Sequence, residues 1–189
     1  MKQLVVVIAL FACCAAFGQV PADVDSILGA MPANDMPQFN SMCEQALKGG
    51  PAMLDALCAK VLAPGAGDDA AARFAVSGVA KYVTQDGKDA ARLMVSEAFL
   101  RALAAAPDPD VKAFFMEQLA LVGKDECIAP IRAYLNNERL CDDASFALQS
   151  VAGPAAAAAL AEALPSAQGK CRVTLITALG NIRRSSGAA

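Results

Sequence analysis

The sequence predicts an all-α protein built as an α/α solenoid, a superhelical stack of antiparallel helix pairs. Three observations predict it. Apolar residues recur at offsets of three, four and seven, the spacing of one helical stripe. No stretch shows the strict apolar–polar alternation of a half-buried strand. The helical pattern also repeats: Leu119 and Val122 recur as Leu148 and Val151, then as Leu179 and Ile182. Leu135, which closes a second helical pattern, recurs as Leu164 at the same spacing. The period is roughly 30 residues, within the range of helical repeat arrays. A helix pair of this size cannot bury its own stripe, so successive pairs must stack.

The segment 1–18 of the 189-residue chain has the form of a signal peptide. Lys2 supplies a positive end, Leu4 to Ala12 an apolar core, and Ala16-Phe17-Gly18 a small-x-small cleavage site. The apolar run is shorter than the roughly 20 residues that span a bilayer. Export to the periplasm or the extracellular space is therefore expected, with no membrane span after cleavage. Leu10-Phe11-Ala12-Cys13 is a loose lipobox, which leaves a lipoprotein anchored at Cys13 as the alternative.

Residues 19–36 carry prolines, Gly29 and several Asp and Asn. They read as a linker with one short helix around Val24–Leu28. Residues 37–67 read as an N-terminal capping pair. Pro37 opens a helix to Lys48, Gly49-Gly50 stops it, and Pro51 starts a second helix through Leu54, Leu57, Val61 and Leu62. End units of a stack are atypical in this way.

Residues 68–189 read as the repeats, the last of them incomplete. Asp68 or Asp69 caps a helix with Phe74, Val79 and Val83 inward and Arg73 and Lys81 outward. Asp89 caps a long helix through Leu93, Leu100 and Leu103. Asp108-Pro109-Asp110 then opens the regular part, whose first helices carry Val111, Phe114, Phe115, Leu119 and Val122; then Cys141, Ala144, Leu148 and Val151; then Cys171, Leu175, Ala178, Leu179 and Ile182. Gly123 and Gly153 fit the left-handed conformation that ends a helix. Pro130 and Pro154 sit near the first turn of the second helices, whose inner stripes are Ile128, Ile131, Leu135 and Leu160, Ala163, Leu164. No second helix follows the third first helix, which predicts a chain that continues, or an end that self-associates.

The run Thr177-Ala178-Leu179-Gly180-Asn181-Ile182 resembles the signature closing the first helix of HEAT-like repeats. The spacing resembles the short bacterial form of that repeat, also seen in phycobilisome lyases. The run "VKAFFMEQLALVGKDECIAPIRAYL" is similar to repeats of secreted bacterial HEAT proteins. The resemblance covers about Asp68 to Arg183 and implies a fold more than an activity. Lyase work of the phycobilisome kind is intracellular and conflicts with the leader.

The chain has no histidine. That excludes Ser-His-Asp and Cys-His nucleophile pairs and histidine-containing zinc sites. No Cys-x-x-Cys pair and no phosphate-binding glycine loop is present. Asp68-Asp69, Asp108/Asp110 and Asp142-Asp143 recur near the starts of helices, where carboxylates satisfy free N–H groups and the dipole. No catalytic residue, cofactor site or metal site is assigned, and the protein is expected not to be an enzyme.

Removing Lys2 with the leader takes the net charge from −3 to −4. No basic face is dense enough for nucleic acid, and Arg183-Arg184 reads as a solvated pair. Cys43, Cys58, Cys127, Cys141 and Cys171 remain in the mature chain. They serve either as small apolar fillers or as one or two disulfides of an oxidising compartment, with Cys43–Cys58 favoured because their helices are antiparallel neighbours. In a HEAT-like array the second helices line the concave face, which would present Arg132, Tyr134 and Glu162 beside the Ala155–Ala159 run. The expected function is a non-enzymatic protein-interaction scaffold, the N-terminal part of a longer protein, with a protein or peptide partner. The alternative is an accessory repeat domain that positions a separate secreted hydrolase-type domain.

Overall fold

The computed structural model describes residues 24–186, with side chains described up to Ile182. The leader and the Arg183-Arg184 side chains lie outside that range. Among the described residues the chain is helical throughout, without a strand. Its α-helices are α1 (Val24–Gly29), α2 (Met36–Lys48), α3 (Gly50–Cys58), α4 (Ala70–Tyr82), α5 (Asp89–Ala105), α6 (Pro109–Val122), α7 (Ile128–Arg132), α8 (Cys141–Val151), α9 (Gly153–Ala163) and α10 (Gly169–Ser186).

Both consecutive helices, such as α5 and α6, and alternate helices pack together. α2 lies against α4, α4 against α6, α6 against α8, and α8 against α10. On the other side α3 lies against α5, and α7 against α9. The stripes read from the sequence supply the core. Val111, Phe115, Leu119 and Val122 are buried on α6, Cys141, Ala144 and Leu148 on α8, and Cys171, Leu175 and Ala178 on α10. At the far end of α10 Leu179 and Ile182 are only partly covered.

Local chemistry sets the helix starts. Asp35 Oδ1 accepts from Gln38 N at 2.8 Å, while Gln38 Oε1 accepts from Asn34 N at 2.8 Å, a reciprocal cap on α2. Asp108 Oδ1 accepts from the N–H groups of Asp110 and Val111, as its position predicts.

Several expectations are corrected. The short helix expected around Val24–Leu28 forms as α1, but its Val24 and Ile27 are buried against α2, α3 and α4, so this part of the stretch is packed and not a free linker. α3 ends at Cys58, yet Val61 is still buried beyond it. Phe74 and Leu93 face outward, 44% and 40% exposed, and the inward residues of α5 are Val95, Ala98, Phe99 and Leu103. Arg73 does not simply point into water: its guanidinium covers the Phe114 ring at 4.7 Å and donates to the Leu62 carbonyl. Of the two candidate caps, Asp68 Oδ1 accepts from Ala70 N at the start of α4, whereas Asp69 Oδ2 accepts from Leu62 N and from Arg73 and ties the preceding loop. Asp89 is the first residue of α5 and pairs with Lys124.

The helix expected over Ile128–Leu135 is cut short at Arg132. Tyr134, Leu135 and Asn137 donate to carbonyls three residues back, which tightens the chain into turns while Leu135 stays buried. Gly123 is extended (φ −69°, ψ 147°) rather than left-handed. A side chain there would meet the Leu119 carbonyl oxygen at 2.6 Å and Cys127 Sγ at 2.7 Å, so close approach explains the glycine. At the next junction Ala152 itself turns left-handed (φ 58°) ahead of Gly153 (φ 79°).

Candidate interaction surface

Two carboxylates in the first turns of helices, Asp110 and Asp142, reach forward to the next part of the chain. Asp110 on α6 accepts from Arg139, just before α8, at 2.5 Å. Asp142 on α8 accepts from Thr174 and Lys170 of α10. Hydrogen bonds from Lys170 and Thr174 hold its carboxyl below the usual carboxylate range. Asn136 donates to Ser166 and Asn181 to Gln149, at offsets of 30 and 32 residues. Polar joints thus recur at the same spacing as the apolar stripe.

The surface expected on the second helices takes a different form. Arg132 and Glu162 form an ion pair across α7 and α9 at 2.6 Å, each about half exposed. Tyr134 is half-buried and holds Lys112 over its ring at 5.3 Å. Of the alanine run, Ala156 and Ala159 are buried while Ala155 and Ala158 are exposed. The charged pair satisfies itself and stands apart from the clefts that carry apolar side chains.

Apart from Leu93 on α5, the large exposed apolar side chains among the described residues lie on the other row of helices. Phe74 on α4, Leu121 on α6, Phe146 on α8, and Val173 and Ile176 on α10 are 44%, 50%, 55%, 65% and 53% exposed. Leu121 and Phe146 line one open cleft of about 550 Å³ with Ser77 and Lys81 of α4, Glu117 and Gln118 of α6, and Asp142 and Asp143 of α8. Phe74 precedes Ser77 and Lys81 by three and seven positions, which places it on the same face of α4. The Gln118 side chain is buried with its Oε1 lacking a hydrogen-bond donor. Burial pushes the Asp143 carboxyl above its ordinary range, against a hydrogen bond from its own backbone.

A second, more apolar groove of about 520 Å³ runs between α3, α5 and the start of α6. Ala59, Ala63, Ala102, Ala105 and Ala106 form much of it, with Phe115 and Val111 at its base. At its edge Arg101 grips the Asp55 carboxylate with Nε and Nη2, at 3.0 and 2.9 Å.

The five described cysteines are all unpaired and buried. Burial pushes the thiols of Cys43 and Cys58 up to about 12, so both behave as apolar filler. Cys127 sits 3.2 Å from Ser96 Oγ. Sequence reasoning misses one arrangement: Cys141 on α8 and Cys171 on α10 sit on helices that pack on each other, where Asp142 holds Lys170 at 2.6 Å. Their separation along the chain is the available signal, because it matches the repeat.

Among the described residues no three metal-ligating side chains converge, and no helix is long and apolar enough to cross a membrane. Comparison with protein-family models, with curated proteins and with solved structures finds no match to this chain.

Proposed function

We propose that this chain is a non-enzymatic interaction scaffold, a HEAT-like α-solenoid of an exported bacterial protein, and that its α4–α6–α8–α10 face receives a protein or peptide partner. The observation that carries the reading is the row of large apolar side chains left open there, Phe74, Leu121, Phe146, Val173 and Ile176. Exposed apolar residues are ordinary when scattered; a series on consecutive packed helices, two of them in one cleft, is the pattern of a docking face. The alternate-helix packing and the polar joints between successive pairs support the solenoid. They would hold such a face rigid, which lowers the entropic cost of binding.

The test uses the full-length chain as bait in a cell-envelope extract, with the captured protein identified and its affinity measured. The paired substitution Leu121→Ser and Phe146→Ser is expected to weaken that affinity at least tenfold while leaving the helical spectrum unchanged. Arg132→Ala, on the opposite helices, should leave it intact. Undiminished binding of the same protein by the paired variant would overturn the assignment of this face.

A further inference from the structure

Cysteine chemistry offers a feature that the interaction surface does not use. Cys141 is the first residue of α8 and Cys171 the third of α10, and these two helices pack on each other. The two cysteines occupy matching positions in successive units, and both are buried. Asp142, next to Cys141, holds both Lys170, next to Cys171, and Thr174, so the joint between α8 and α10 brings the two cysteines to the same place in the fold.

Two further groups complete the setting. Lys170, held by Asp142 at 2.6 Å, places its ammonium where it acts on both sulfurs. That charge opposes the burial that pushes the Cys141 thiol up to about 12. Access comes from one side. Cys171 lines a polar cleft of about 390 Å³ with Asn136, Glu138, Ser166, Gln168 and Gly169.

We propose that Cys141 and Cys171 form a redox pair that closes to a disulfide and thereby locks α10 onto α8. The oxidant is a small-molecule disulfide entering through the cleft beside Cys171. The deprotonated Cys171 sulfur attacks one sulfur of the reagent, whose other half leaves as a thiolate. Cys141 gives its proton to solvent and displaces the remaining half. One intramolecular S–S bond forms, the chain loses two hydrogens, and the reagent departs as two thiols. The half-covered residues Leu179 and Ile182 show why such a lock matters, since α10 has less apolar cover at its far end than α8 has.

The experiment treats the folded, reduced full-length protein with oxidised glutathione, blocks remaining thiols, and maps the peptides without reduction. The expected product links the Cys141 and Cys171 peptides, with Cys43, Cys58 and Cys127 blocked only after denaturation. The melting midpoint should rise by several degrees on oxidation and return on adding dithiothreitol. In Cys141→Ser the expected product is a lasting glutathione adduct on Cys171. Cys171→Ser should take no adduct at Cys141, which checks the order of attack independently. A lasting adduct on Cys171 of the unsubstituted chain, a Cys43–Cys58 link, or two unreacted thiols at Cys141 and Cys171 would each overturn the proposal.

Discussion

Arg92 of α5 donates from a single Nη1 to the Val122 carbonyl that ends α6 and to Glu126 Oε1 beyond it, both at 2.6 Å. Ser96 adds a hydroxyl to the same Glu126 oxygen at 2.8 Å. The turn after α6 is thereby anchored to the preceding helix. Burial raises the Glu126 pKa, but hydrogen bonds from Arg92, its own backbone and Ser96 outweigh that and hold it below the usual carboxylate range.

Glu126→Gln should cost about 1–3 kcal/mol at neutral pH, because it leaves a mostly buried guanidinium without its charged acceptor. The folded pKa is depressed, so the stabilisation is present above the unfolded carboxylate pKa and is lost as pH falls through the folded value. Chemical denaturation from neutral to acidic pH checks this. The gap between Glu126→Gln and the unsubstituted chain should close on the acid side.

Asp143 should behave in the opposite sense. Its folded pKa is raised, first by burial, so ionisation costs stability at neutral pH and the cost disappears as the carboxyl protonates. Asp143→Asn is expected to raise the melting midpoint at neutral pH and to change it little in acid. A midpoint lowered at neutral pH would contradict that sign.

Leu148→Asp is expected to unfold the protein, since Leu148 is fully buried on α8 and an unpaired charge there costs several kcal/mol. Arg132→Ala breaks only an ion pair with both partners about half exposed, and should change stability by less than about 1 kcal/mol. Circular dichroism melting of both variants separates them.

Two glycines should respond in opposite directions to alanine. Gly123→Ala forces a methyl against a backbone carbonyl and the Cys127 sulfur, and is expected to cost about 1–3 kcal/mol. Gly180 lies inside α10 with open space where its side chain would stand, so Gly180→Ala should stabilise by about 0.5–1 kcal/mol. Equilibrium unfolding of the pair gives both signs.

The helical character and the inner stripe are legible in the sequence because each depends on spacing within one segment. Leu119, Leu148 and Leu175 sit on apolar stripes that nothing else in the sequence contests, and all three are fully buried. Phe74 and Leu93 escape such a reading because apolar residues surround both helices, so the buried side is chosen by the neighbouring helix and not by the local pattern. Arg73 escapes it for a related reason: its charge suggests water, but its long side chain finds a carbonyl and an aromatic ring contributed by other elements. The same limit explains the surface. The sequence shows that Phe146 and Ile176 fall off the inner stripe, but their exposure along one row of helices follows only once the helices are packed. Antiparallel neighbouring helices favour Cys43 with Cys58, whereas the packing of α8 on α10, which carry Cys141 and Cys171, follows only from the assembled fold.

The polar joints have a consequence for how the chain opens. Asp110 meets Arg139, Asn136 meets Ser166, and Asp142 meets Thr174, over 29, 30 and 32 residues. Each joint binds a segment to the next along the chain, and none of these three reaches back across the whole molecule. Loss of α10 would release the Asp142 and Gln149 contacts while leaving those of α5 and α6 in place. Amide exchange should therefore run as a gradient, fastest along α10 and slowest around α6, with the molecule unzipping from one end instead of opening everywhere together.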